Sequence, residues 1–414
     1  MSAPRPSRRR QPVRPPRSSP RVGPLAGRAH PTERFDVDAL LDDRGTQIIV
    51  CCGSGGVGKT TTAAALGLRA AERGRTVVVL TIDPARRLAQ SLGLDELDNT
   101  PRAVETGPEV AAAGGRLDAM MLDMKRTFDE VVESHASPQK ARQILSNPFY
   151  LALSSSFAGT QEYMAMEKLG QLHAEEAEHG WDLIVVDTPP SRSALDFLDA
   201  PEHLSSLLDG RLIKLLVAPA RGPARLLSAG LNVVTGAMTK VLGAQVLKDV
   251  QTFIAAFDTL FGGFRQRAEA TYALLQAPQT AFVVVATPEP DALREAAYFV
   301  ERLSEDRMPL AGLVLNRVVS DPVPLLSGAR ARQAAELLEE SDGDPTLRGL
   351  LRLHVGSAAA RARQLRLQRR FAAAHPAVAA VEVPALAGDV HDVEGLRLVG
   401  SLLGDDGGGS AVGA

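Results

Sequence analysis

Eight consecutive residues, Gly53-Ser54-Gly55-Gly56-Val57-Gly58-Lys59-Thr60, have the types and spacing needed to enclose phosphate groups, the Walker A pattern G-x-x-x-x-G-K-[ST]. Glycines let the backbone curl closely around an anion and turn its N–H groups inward, where side chains would block the approach. Lys59 is placed to reach the β and γ phosphates of ATP, and the hydroxyl of Thr60 to ligate Mg²⁺. Thr61 continues into a helix whose amino end adds partial positive charge. Two carboxylates complete the set. Asp83 ends the run Thr76 to Ile82, and Asp187 ends the apolar run Leu183-Ile184-Val185-Val186. In an open α/β sheet ligands gather at the carboxyl ends of strands. Asp187 is therefore expected to hold the metal and Asp83 to orient the attacking water, so that Lys59 and Asp83 are the catalytic pair. Taken singly, an aspartate at a strand end is often only a helix cap.

These residues need a scaffold, and the pattern around them supplies one. Short β-branched runs alternate with longer helical stretches. Thr46 to Cys52, Thr76 to Ile82, Asp182 to Asp187, Ala281 to Ala286, Leu310 to Asn316 and Val378 to Val383 read as buried parallel strands. The fold class expected is α/β, a doubly wound, mostly parallel sheet with an inserted helical subdomain. Residues 124–180 and 192–277 carry helical spacing without a strand and are read as that insertion. The ATPase domain is drawn as 45–404, between an Arg/Pro-rich tail, 1–34, and a second tail, 405–414, both lacking the apolar content to fold.

Composition narrows the function. The 414 residues are 45% hydrophobic and carry a formal net charge of -3, with no overall pull toward nucleic acid or anionic lipid. Nine arginines crowd the first tail, with Glu33 as the single acid. No apolar run is long enough to span a bilayer and no secretory signal opens the chain, so a cytoplasmic protein without a transmembrane segment is expected. The two cysteines, Cys51 and Cys52, are neighbours in the first strand and point to opposite faces, which gives neither a disulfide framework nor a two-thiolate clip. Leu231, Val234, Met238, Val241 and Leu242, then Phe253, Phe257, Leu260, Phe261 and Phe264, recur at helical spacing. They read either as core against the helices of 124–180 or as a face for a hydrophobic client. Arg363, Arg366 and Arg369 read as a solvated helix face, and nucleic acid is not expected as a partner.

Beyond the loop, the sequence resembles the arsenite-pump (ArsA) and tail-anchored-protein targeting ATPase family within the MinD-type P-loop ATPases, and its actinobacterial members, described as anion-transporting ATPases, most of all. Asp83-Pro84-Ala85-Arg86-Arg87-Leu88 is similar to that family's switch I, and Asp187-Thr188-Pro189-Pro190 with Leu195 and Phe197-Leu198 to its switch II. Val314-Leu315-Asn316-Arg317 and Val383-Pro384-Ala385-Leu386 with Glu394-Gly395 resemble its adenine-binding segments. The resemblance implies Asn316 and Pro384 at the base, and it extends in placement to the turn Pro288-Glu289-Pro290. It also implies a dimer coupled to transport or targeting, with a hydrophobic client or membrane partner protein. Family members place a signature lysine where this chain has Ser54, so a homodimer would lack that cross-interface cation. A heterodimer with a related, lysine-bearing ATPase subunit, or a weakly active regulatory role, follows from that departure. The cysteine pair is too few and too confined for an arsenite site or an interfacial zinc site.

Overall fold

A computed structural model describes residues 33–83, 87–148, 150–151, 160–189, 263, 266–320 and 325–404 of the protein. Among these residues eight strands form one sheet. They are β1 Ile48–Cys52, β2 Thr76–Thr81, β3 Arg102–Ala103, β4 Arg116–Met121, β5 Leu183–Asp187, β6 Thr280–Ala286, β7 Leu310–Val318 and β8 Ala380–Pro384. Their order across the sheet is β3-β4-β2-β5-β1-β6-β7-β8. Every pairing is parallel except that of β3 with β4. The mostly parallel α/β sheet expected from the sequence is thus the fold observed.

Helices cover both faces, which is why the central strands are apolar at every position rather than at alternate ones. All five residues of β1 and all seven of β6 are buried. Successive side chains enter different cores. Ile48, Val50 and Cys52 pack with Phe128, Met164, Leu169 and Phe299, from the helices Met124–His135, Thr160–Ala174 and Pro290–Glu305. Ile49 and Cys51 pack with Ala63, Leu66, Leu396 and Val399, from the helices Lys59–Glu72 and Val393–Leu403. The two cysteines accordingly lie on opposite faces. Burial raises both thiols, Cys52 to about 12.

Two strands escaped the sequence reading. β4 contains Arg116 and Asp118, and a carboxylate in a buried strand argues against a strand unless it finds partners. Asp118 finds them: Trp181 Nε1 donates to its Oδ2 at 2.7 Å, and Arg116 lies 3.0 Å away. β3 is only two exposed residues long and carries no pattern to read. At the other end, Arg34, drawn from sequence as the last residue of the tail, bridges to Ala380. The helix Val37–Asp42 that follows is fastened by Asp38, which accepts from Arg69 at 2.5 and 2.6 Å.

Within 124–180 the described residues form helices at Met124–His135, Pro138–Leu145, Thr160–Ala174 and Glu176–His179. The apolar stripe from Leu231 to Phe261, Phe264, the switch residues Pro84, Ala85, Arg86, Pro190, Leu195, Phe197 and Leu198, and nearly all of both tails lie outside the described residues. Between β7 and β8 the chain makes a helical hairpin, Gly328–Glu340 and Pro345–Ala374. The arginine-rich run lies on its 30-residue second helix, with Arg361 paired to Glu382 at 2.9 Å. Among the described residues no helix is long and apolar enough to cross a membrane.

Candidate functional site

Parallel register gathers the chemistry at one edge of the sheet. Cys51 and Thr81 both pair with Asp187 across the sheet, so the ends of β1, β2 and β5 lie level. Gly53 follows β1 and Asp83 follows β2 at the same edge. β7 and β8, parallel to them, bring Asn316 and Pro384 there as well.

The loop after β1 is shaped by close approaches. Gly53 has φ 149, and a Cβ there would lie 2.1 Å from the carbonyl oxygen of Val285. Gly58 has φ 97, and a Cβ there would lie 2.3 Å from Nδ2 of Asn316. Both are positions for glycine alone. Gly58 caps the helix Lys59–Glu72 with no side-chain hydrogen bond and with no acidic residue in the first turn. The amides of that turn are therefore available to an anion rather than to a serine or aspartate cap.

Lys59 is buried, and its Nζ donates to the carbonyl of Ser54 at 2.9 Å. Burial pulls its ammonium below the ordinary lysine range, and the nearby Asp187 carboxylate partly offsets this. Asp187 itself is wholly buried at the end of β5. Burial lifts its carboxyl to about 6, while the hydroxyls of Thr60 and Thr81 and the charge of Lys59 pull it back down. Thr81 Oγ1 donates to Asp187 Oδ2 at 2.9 Å, but Oδ1 is buried and makes no hydrogen bond of standard geometry. A buried carboxylate oxygen left without a donor is costly, and a hard cation is one natural partner for it. The Thr60 hydroxyl and the Asp187 carboxylate are both hard oxygen donors, so these residues fit Mg²⁺.

A cleft of about 1120 Å³ lies over this edge. Of the residues singled out in the sequence, Gly56, Gly58, Lys59, Thr60, Thr61, Asp83, Asn316 and Pro384 line it, as do Arg87, Arg317, Val383, Ala385 and Leu386 from the motifs around them. Gly53, Ser54, Gly55, Val57 and Asp187 do not; Gly53, Ser54, Val57 and Asp187 are buried, and Gly55 is exposed outside its walls. The turn at Pro288 to Pro290 is also absent from the walls and serves to start the helix Pro290–Glu305. Asn316 Nδ2 donates to the carbonyl of Val57 at 2.8 Å, tying β7 to the phosphate loop. Asp83 is half-buried, and its amide donates to Thr81 Oγ1 at 3.2 Å.

The cleft also has walls with no role expected from the sequence, Gln90, Ser91 and the stretch Gly388 to His391, and it includes Arg317, which the resemblance placed in the adenine segment without a role of its own. Arg317 carried one available signal, its place directly after Asn316. Among the described residues no three His, Cys, Asp or Glu side chains form a group able to hold a metal ion. A magnesium ion would be held by the Thr60 hydroxyl and the Asp187 carboxylate.

Residues 46–339 match the anion-transporting ATPase family. The ATPase get3 of Schizosaccharomyces japonicus is 24% identical over 292 residues, 69% of this chain and 79% of that protein. The ATPase BagA of Mycobacterium tuberculosis is 23% identical over 311 residues, 74% of each chain. The ATPase GET3 of Malassezia globosa is 29% identical over 171 residues, 41% of this chain, which spans 46% of that relative's length. The family match takes in the phosphate loop, both strand-end aspartates and Asn316 and covers well over half of the chain, which therefore belongs to the anion-transporting ATPase family and is an ATPase.

Proposed function

We propose that the chain binds MgATP in the cleft at the carboxyl edge of the sheet, hydrolyses it there, and works as a dimer whose nucleotide cycle drives transport or delivery of a protein client. The observation that carries the nucleotide reading is a bare helix amino end, capped by a glycine with φ 97, directly beside a buried lysine and above a buried aspartate with an unpaired oxygen. Such an arrangement suits a polyanion accompanied by a hard cation.

In this reading Lys59 and the first-turn amides hold the terminal phosphates, and the Thr60 hydroxyl and Asp187 are the oxygen donors for Mg²⁺. When bound, the ion neutralises charge on the phosphate oxygens. Asp83, on the cleft wall, orients and polarises the attacking water, and Asn316 and Pro384 border the adenine. Thermal unfolding of the wild type and Lys59→Ala with and without MgATP is the test. Saturation to about a hundred times Kd adds about 2.7 kcal/mol to wild-type stability. The variant should show no nucleotide-dependent shift, and an equal shift in both proteins would refute the site.

Ser54 favours one further arrangement, pairing with a related subunit. Its side chain is neutral and buried, and its carbonyl is occupied by Lys59 of the same chain. This chain then has no cation at that position to offer across a dimer, and its own site would be activated by a lysine-bearing partner. Turnover of the purified protein alone, compared with its mixture with a lysine-bearing paralogue, tests this. Equal rates would leave the homodimer as the working form.

A further inference from the structure

β7 departs from regular pairing at one place, and the departure falls on the cleft. Leu315 pairs with Glu382 and Val318 with Pro384, so three steps along β7 match two along β8, leaving one residue extra. Bulges of this kind re-aim a side chain and recur beside functional sites. Here the bulge holds Asn316 and Arg317, and Arg317 has φ 57, a left-handed conformation that side-chain-bearing residues rarely adopt. It is pinned on both sides. Asn316 Oδ1 accepts from the Arg317 amide at 2.9 Å while its Nδ2 holds the phosphate loop. Val318 accepts from the Ala385 amide at 2.9 Å, which holds the segment after β8.

Arg317 thus stands on the cleft wall between the phosphate loop and the stretch from Pro384 to His391. Its side chain is exposed and makes no hydrogen bond or ion pair with another described residue. Lys59 and Thr60 mark the phosphate end of the cleft, so a bound nucleotide directs its nucleoside half toward this wall. A purine base seeks a flat, polarisable neighbour, yet among the described lining residues none is Phe, Tyr or Trp, and the one aromatic ring, His391, is held through Nδ1 by the Asp389 carbonyl at 2.8 Å. A guanidinium is planar and delocalised and stacks on aromatic faces, which a lysine ammonium does not reproduce.

We propose that Arg317 is a nucleotide-binding residue whose guanidinium lies flat against the purine base. The proposal rests on the reading of the cleft as a nucleotide site. It is tested by measuring binding of ATP, ADP and inorganic tripolyphosphate, the last having no base, to the wild type, Arg317→Ala and Arg317→Lys, with thermal unfolding confirming that each variant folds. Arg317→Ala should weaken ATP and ADP alike by about five- to tenfold, as expected for a partly desolvated cation–π contact. Arg317→Lys should recover little of that loss. Tripolyphosphate should bind all three proteins within about twofold, and KM for ATP should rise with kcat unchanged. Full recovery in Arg317→Lys, or a parallel loss of tripolyphosphate binding, would mean that the residue acts as a charge on the phosphates and would overturn the proposal. Unchanged ATP binding in Arg317→Ala overturns it alone. Failure of the wild type to bind ATP overturns the nucleotide reading and this inference with it.

Discussion

Gly58→Ala probes the joint on which the cleft depends. The substitution forces a side-chain-bearing residue into φ 97 and sets its Cβ 2.3 Å from Asn316 Nδ2. The backbone part of the penalty is about 1–2 kcal/mol. Asn316 can relieve the clash only by swinging away, which gives up its 2.8 Å bond to the Val57 carbonyl, worth about 0.5–1.5 kcal/mol. The single variant should therefore be about 1.5–3.5 kcal/mol less stable. Asn316→Ala loses the same hydrogen bond together with the one its Oδ1 accepts from the Arg317 amide and should cost about 1–3 kcal/mol. In the double variant the bond to the Val57 carbonyl is lost only once, so the two effects should fall short of additivity by about 0.5–1.5 kcal/mol. Urea unfolding of the four proteins, without nucleotide or metal, measures the cycle. Strict additivity would mean that loop and β7 are not joined through Asn316. A Gly58→Ala protein as stable as wild type would mean that the loop does not hold its left-handed turn.

Asp83→Asn keeps the size of the side chain and removes the acceptor for a water proton. It should lower ATP turnover by about 10²- to 10⁴-fold while the MgATP-induced thermal shift persists, and near-normal turnover would remove Asp83 from the chemistry. Asp187 makes stability depend on pH in a definite direction. Its folded carboxyl sits at about 6, against about 3.9 for a free aspartate. The folded state therefore binds the proton more tightly than the unfolded one. The stability this provides is complete below about pH 4 and is lost as pH rises through 6, a change on the order of 3 kcal/mol. Chelator-treated, nucleotide-free protein should lose that stability between about pH 4 and 6, while Asp187→Asn should lack this component. Parallel pH profiles for the two proteins would contradict it.

What could be read from the sequence followed from how locally each feature is specified. β1 and its loop were legible because an apolar run, a run of glycines and a small-residue helix stand in immediate succession. Asp187 was legible because a single carboxylate ends an otherwise apolar strand. β4 was not, because Asp118 is made tolerable by Trp181 and Arg116, and the Trp181 partner lies sixty-odd residues away in the chain. Arg317 was not, because its aim is set by a register mismatch with β8, across the whole helical hairpin. A bulge is a property of two strands, and neither strand's sequence announces it.

The two strand-end aspartates are joined through one side chain. Thr81 Oγ1 donates to Asp187 Oδ2 at 2.9 Å and accepts from the Asp83 amide at 3.2 Å. One hydroxyl therefore joins a wholly buried carboxylate, suited to a cation, to Asp83, two residues beyond the end of β2. Such a hydroxyl can keep both bonds only while each partner holds its place and charge. Protonating Asp187 converts the acceptor of that hydrogen bond into a group that can itself donate, and engaging its unpaired Oδ1 would fix it as an acceptor. Thr81, the last residue of β2, thus links the proposed cation ligand to the proposed water-orienting residue and belongs to the candidate site with the residues that line its walls.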